Sequence, residues 1–207
     1  MKNKTKIAVL VSGGGTNLQA ILDAQKSGVI NHGEVVAVIS SSPTAYALER
    51  AKNHGVEGFV VSKKEVGKEN FEAEIIKIIE EKGAELIVLA GFMSILSESF
   101  TKKYENRILN VHPSLIPSFC GEGFYGLRVH EAALSYGVKV TGATVHYVNE
   151  IADGGKIILQ KAVEIKEGDT AEILQKRVMQ EAEWKILPQA VELVSKEILN
   201  MKESEVL

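Results

Sequence analysis

Several things are scarce in this 207-residue sequence: one cysteine (Cys120), one tryptophan (Trp184) and four prolines. A single cysteine excludes an internal disulfide framework and an all-cysteine metal site, and it fits a reducing, cytoplasmic setting. Long apolar runs are missing as well. The longest, Leu86 to Met93, is far shorter than the roughly 20 residues of a membrane-spanning helix. The basic start MKNKTK leads through KIAVLV straight into a Gly-rich turn, which leaves no room for a signal-peptide apolar region and cleavage site. Neither sign of charge dominates: 24 Lys and Arg face 27 Asp and Glu, for a net charge of −3, so there is no general basic surface for nucleic acid. Repeats, low-complexity stretches and linkers are absent, so one domain over residues 1–207 is expected, with halves of about 1–100 and 101–207.

What is present is core material. Hydrophobic residues make up 45% and charged ones 25%, the balance of an ordinary globular domain. Lys6–Val11, Val35–Ser40, Gly58–Val61 and Glu85–Ala90 read as strands, and helical patterns at Leu18–Ser27, Tyr46–His54 and Asn70–Lys82 separate them. That alternation implies right-handed βαβ units and a mostly parallel sheet with helices on both faces. Ser97–Tyr104 and Leu127–Tyr136 read as helices and Ile108–His112 as a further strand. Thr144–Val148 and Lys156–Ile165 should pair antiparallel across the turn NEIADGG. Asp169 with Glu172 resembles a capping box for a last helix, which Pro188 should kink or divide.

Ser12-Gly13-Gly14-Gly15-Thr16-Asn17 joins the first strand to the first helix. Glycines there let backbone amides approach an anion at a helix N-terminus, although a plain strand-to-helix turn needs glycine too. A dinucleotide fingerprint lacks its third glycine, since Leu18 follows, and the second strand ends in SSSP without an acidic residue for a ribose. A P-loop lacks its Gly-Lys-Ser/Thr. A single phosphate ester fits better than NAD or ATP.

The stretch ILNVHPSLIP sets Asn110 and His112 two residues apart on one face of a strand, at the edge where open α/β sheets hold ligands. An amide and an imidazole aimed at one point can donate to a developing oxyanion, or they can satisfy backbone groups in a packed loop. Asp153, in Ala152-Asp153-Gly154-Gly155, could raise the imidazole pKa, although D-G-G is also a common hairpin turn. Cys120, in SFCGEG, reads as a bystander. His130 and His146 could join His112 around a metal, but no ligand spacing supports it.

The pieces VSGGGTNLQAI, VLAGFMSIL, ILNVHPSLIPSF, TGATVHYV, DGGKIILQ and EAEWKILPQAV together resemble the folate-dependent phosphoribosylglycinamide formyltransferases of purine biosynthesis, over nearly the whole chain. The resemblance implies a Rossmann-like formyltransferase fold. It implies transfer of a formyl group from 10-formyltetrahydrofolate to the amine of a phosphoribosyl glycinamide, with two small-molecule substrates, no metal, and no nucleic acid or membrane partner. Oligomeric state is left open. Asn110, His112 and Asp153 would be catalytic. Gly15, Thr16, Asn17 and Leu18 would hold the phosphate end, and Gln180, Glu181, Ala182 and Glu183 the ribonucleotide. Met93, Ser94, Ile95 and Leu96 would line the folate pocket with Asn110, and Lys68 would stand at its mouth where relatives often carry arginine. Asn149, Glu150, Ile151, Ala152 and Asp153 would face the pterin. The segment Cys120 to Arg128 is a few residues longer than in many relatives, and Trp184 stands where many have histidine. Rival readings are a formyltransferase for another amine, a formyltetrahydrofolate hydrolase, and a silent binding module of the same fold. A transfer-RNA enzyme should add a basic C-terminal domain, whereas this chain closes on the acidic MKESEVL; the hydrolase should add an N-terminal regulatory domain.

Overall fold

The aliphatic runs form seven strands: β1 (Thr5–Val11), β2 (Gly33–Ser40), β3 (Gly58–Val60), β4 (Leu86–Leu89), β5 (Ile108–His112), β6 (Val140–Tyr147) and β7 (Ile157–Glu164). In this computed structural model, which describes residues 3–205, they make one sheet in the order β3-β2-β1-β4-β5-β6-β7. The two ends of the chain, Met1-Lys2 of the basic start and Val206-Leu207 of the acidic close, lie outside the described residues. Pairing is parallel from β3 through β5 and antiparallel between β5, β6 and β7. The helices are α1 (Thr16–Ser27), α2 (Ala47–Asn53), α3 (Lys63–Val66), α4 (Phe71–Lys82), α5 (Glu98–Lys103), α6 (Leu127–Tyr136), α7 (Ala171–Val178) and α8 (Trp184–Glu205).

Alternation along the strands assigns each residue to one of two cores. Val9, Val11, Val88, Leu109 and Val111 pack with Leu18 and Ile21 of α1 and with Leu187, Val191 and Val194 of α8. Ala8, Leu10, Ile87, Leu89 and Ile108 pack with Phe71, Ile75 and Ile79 of α4 and Phe100 of α5. Each buried side chain of this size contributes about 1.5–3 kcal/mol. A one-residue slip would turn a strand's whole set over, so the register is strongly specified. After β1 the chain builds outward through β2 and β3, then returns to set β4 on the other side of β1. The order therefore reverses between β1 and β4, the place where open α/β sheets leave a crevice at their C-terminal edge.

The structure corrects three local expectations. Strand β6 begins at Val140 rather than Thr144, because Thr141, Gly142 and Ala143 continue the ladder against Val163, Ala162 and Lys161. A Cβ at Gly142 would overlap the Lys161 carbonyl oxygen, so the glycine serves a close strand approach. The N-cap of α7 is Thr170, whose hydroxyl accepts from the Ile173 N–H, and not Asp169 in a capping box. Asp169 instead takes the Arg177 guanidinium on both oxygens and accepts from the Lys166 N–H. Finally, α8 runs through Pro188 undivided, and the irregularity lies one turn earlier, in a π turn at Met179–Glu183. Helix α3 was not read from the sequence: it is four residues long, too short for a periodic signal. Among the described residues no helix is long and apolar enough to cross a membrane.

Candidate active site

Three connections leave the C-terminal edge of the sheet side by side: the Gly-rich turn after β1, the loop after β4, and the loop after β5. Ser12 ties the first two. Its hydroxyl accepts from the Met93 N–H at 2.9 Å and lies 2.7 Å from the Ser41 hydroxyl. Arg50 braces the turn by donating to the Gly14 carbonyl at 2.8 Å and to Gln19 at 2.9 Å. The three glycines differ in what they do. Gly15 is the N-cap of α1 in the left-handed region (φ 71°), and a Cβ there would lie 2.6 Å from that of Ala47, so packing and backbone both demand glycine. Cβ atoms at Gly13 or Gly14 would meet nothing within 4 Å, so only those two leave open backbone for a ligand. The first turn of α1 carries no acidic residue to repel an anion.

The sequence did not show how Glu183 enters the site. In the π turn the Trp184 N–H reaches back to the Met179 carbonyl, and the extra residue leaves Gln180 and Glu181 exposed while Ala182 and Glu183 turn inward. Asn17 donates to the Glu183 carboxyl at 2.8 Å. Burial pushes that carboxyl up to about 7, with the Asn17 bond pulling only part of the way back. The other amide atom of Asn17, Oδ1, is buried without a partner. Thr16 stands at the start of α1, beside Gln19 and Arg50. Leu18 is wholly in the core, so its side chain is not available to a phosphate, and Ala182 is likewise core.

At the exit of β5, Asn110 and His112 project to one face as their spacing requires. Opposite them on β6, His146 pairs with Asn110 and Thr144 with His112. Asp153 reaches the cluster from the loop after β6. Its Oδ2 lies 3.4 Å from His112 Nδ1 and its Oδ1 3.6 Å from His146 Nε2. Asp153 itself is left-handed (φ 55°), and Gly155 is required because a Cβ there would overlap the Tyr147 carbonyl. Burial raises the Asp153 pKa, but His146, the Gly121 N–H and His112 outweigh it and hold the carboxyl below the ordinary range. Asp153 raises the His112 pKa as expected, but the net shift is downward. Burial lowers it, and the Asp153 charge and the Phe119 carbonyl recover only part of the loss. His112 Nε2 lies 2.9 Å from that carbonyl, so this nitrogen carries a proton.

The longer segment after β5 closes over the pair. It starts beyond a cis Ile116–Pro117 peptide, is tied to β6 through Ile116 N–H donating to Thr144, and brings the Gly121 N–H onto Asp153 at 2.8 Å. Cys120 donates to the Pro117 carbonyl at 3.3 Å and takes no other hydrogen bond. On the loops after β4 and β6, Met93, Ile95 and Ile151 are 62%, 82% and 61% exposed, apolar surface fit to meet a flat ring system. Leu96 points into the core instead. Ser94 is half-buried; Glu150 and Ala152 are exposed, and Asn149 Oδ1 accepts from the Ile151 N–H to shape the loop. Lys68 lies exposed on the turn between α3 and α4.

A parallel sheet with antiparallel last strands carries a Gly-rich turn at its switch point and, on the next strand but one, an Asn-His pair that Asp153 joins from the loop after β6. The formyl transferase family profile matches residues 5–191, and the chain belongs to that family. More particularly, it is 39% identical over 201 residues to a phosphoribosylglycinamide formyltransferase of Haemophilus influenzae, covering 96% of this chain and 91% of that protein. It is 45% identical over 194 residues to the trifunctional purine biosynthetic protein adenosine-3 of Gallus gallus, of which it spans 19%. The crystal structure of glycinamide ribonucleotide transformylase 1 from Symbiobacterium toebii superposes with a TM-score of 0.88 at 41% identity, over 95% of this chain and 90% of that one.

Proposed function

We propose that the protein transfers a formyl group from 10-formyltetrahydrofolate to the amine of 5-phosphoribosylglycinamide, a step of purine biosynthesis. The observation that carries this reading is the Asn110-His112-Asp153 cluster on the same sheet edge as the open Gly13-Gly14 backbone, in a chain that aligns over 96% of its length with a relative named for that activity. Gly13, Gly14 and the first turn of α1 hold the phosphate, and their N–H groups and the helix dipole both favour an anion. The Asn17 Oδ1 and the Glu183 carboxyl, which burial raises to about 7, offer polar partners for ribose hydroxyls. Met93, Ile95 and Ile151 line the folate side, with Ser94 and residues 149–153 around it.

The amine attacks the formyl carbon, forming one C–N bond, and negative charge builds on the formyl oxygen. Asn110 donates an N–H to that oxygen in a partly buried site, where such a donor is worth about 10²–10³ in turnover. The bond from the carbon to the folate nitrogen then breaks. The amine loses one proton and the folate nitrogen gains one. His112, less basic than a free imidazole at rest, receives that proton as charge develops beside it and passes it on, and Asp153 stabilises the cation in transit.

In this reading residues 1–207 form one formyltransferase domain, supported by the family match over residues 5–191 and the single sheet. It needs neither metal nor nucleic acid, and the cytoplasm is its place; the lone free thiol agrees with that. The test is a formyl-transfer assay with glycinamide ribonucleotide and 10-formyltetrahydrofolate. Ribonucleotide formylation supports the reading. Release of formate without formylation would select the hydrolase alternative.

A further inference from the structure

His146 is fully buried on β6 and takes no part in the scheme above, yet it touches two of the three catalytic side chains. Its Nδ1 lies 2.8 Å from the Tyr147 carbonyl oxygen. A carbonyl can only accept, so Nδ1 carries the hydrogen. Nε2 then decides between two arrangements. Asn110 Nδ2 is 3.2 Å away, within reach of an N–H···N bond if Nε2 is bare. Asp153 Oδ1 is 3.6 Å away, too long for a hydrogen bond and useful only if Nε2 is protonated. Both cannot hold, because a protonated Nε2 would face the Asn110 amide hydrogens and force that amide to turn over; with Nε2 bare, His146 donates nothing to Asp153, and the Gly121 N–H and His112 are left to hold that carboxyl low.

We propose that His146 is a positioning residue for formyl transfer: as the neutral Nδ1–H tautomer it accepts one amide hydrogen of Asn110 and so fixes which end of that amide faces the reacting oxygen. An Asn amide has two nearly isosteric orientations. One presents its second N–H to the formyl oxygen, and the other presents its carbonyl oxygen, which would repel the developing charge. With Nε2 bare at 3.2 Å, only the first orientation gains a hydrogen bond from the protein. The cross-strand register of Asn110 with His146 makes the contact a property of the sheet itself. Misorientation of a donor in a reacting complex costs up to about 10²-fold.

This inference rests on Asn110 being the oxyanion donor, and the tests separate the two. In the wild-type protein, ¹⁵N-detected NMR of the imidazoles should show His146 as neutral with the hydrogen on Nδ1 at neutral pH; a hydrogen on Nε2, or a cation, would overturn the inference without an activity assay. In kinetics, His146→Ala should lower kcat roughly 10- to 100-fold with little change in either KM. His146→Gln places a carbonyl oxygen near the Nε2 position and should restore most of the loss. The Asn110→Ala/His146→Ala double variant should be no slower than Asn110→Ala. An additive double variant, or a His146→Ala loss confined to thermal stability, would sink the positioning role alone. Full activity in Asn110→Ala would instead sink the oxyanion reading on which it stands.

Discussion

The three glycines of the turn after β1 make separable claims. Gly15→Ala must hold a left-handed residue, at about 1–2 kcal/mol, and push against Ala47. We expect a lower melting temperature with the KM of the remaining folded enzyme little changed. Gly13→Ala and Gly14→Ala add a methyl that meets no protein atom, so their melting temperatures should match wild type while the KM for the ribonucleotide rises and that for the folate does not. Thermal denaturation beside steady-state kinetics decides, and equal KM shifts for both substrates would remove the phosphate from this turn. At the same scale the sequence exposed Asn110, His112 and Asp153 through their residue types. It could not show that burial depresses the His112 pKa, because burial depends on how the segment after β5 folds back over the strand, which residue spacing does not encode.

Among the elements, the segment after β5 and the π turn matter most. The Gly121 N–H is held by a charged acceptor, an interaction worth about 1.5–3 kcal/mol, or roughly a factor of 10 to 100 in amide exchange. Asp153→Ala should speed Gly121 exchange by that order while the Val111 amide in β5 stays protected, as read by hydrogen-exchange NMR. Unchanged Gly121 exchange would mean that the segment is held by something other than Asp153. Elements with one strong period were legible: β1, β5 and α4, stopped by Gly83 in the left-handed region, lie within a residue or two of their expected bounds. The π turn was not, because a single extra residue inside a helix leaves the apolar spacing on each side intact. It is nevertheless what sorts Glu183 inward from Gln180 and Glu181 outward. The Asp169 cap failed for a different reason: its carboxylate does better with Arg177 eight residues on than with the helix N-terminus beside it.

For the whole molecule, two buried groups give opposite pH dependences. Burial, with a smaller push from His112, holds fully buried His130 at about 4, so between about pH 4 and 6.5 the unfolded chain binds a proton the folded one does not, and stability rises with pH. Glu183 at about 7 does the reverse: between about pH 4.5 and 7 the folded protein keeps a proton the unfolded chain has lost, and stability falls with pH. Each shift corresponds to something on the order of 3 kcal/mol at 1.36 kcal/mol per pKa unit. The carboxyls of Asp153, Asp169 and Glu192, all held low, act at or below the ordinary carboxylate range, and His112 adds to the rising limb. Urea unfolding across pH 4.5 to 6.5 should therefore show a more positive slope for Glu183→Gln than for wild type, and a less positive one for His130→Phe. Identical profiles for the two variants would contradict the burial assigned to both groups.

The central question is whether this cluster performs the transfer. The most direct measurement is the kcat of formyl transfer to glycinamide ribonucleotide for wild type and His112→Ala, both verified as folded by circular dichroism. The account predicts transfer by the wild type and a loss of at least about 10²-fold in the variant, with ribonucleotide binding retained. No transfer by the wild type, or a His112→Ala enzyme within about threefold of it, short of the tenfold that 1.36 kcal/mol represents, would contradict it.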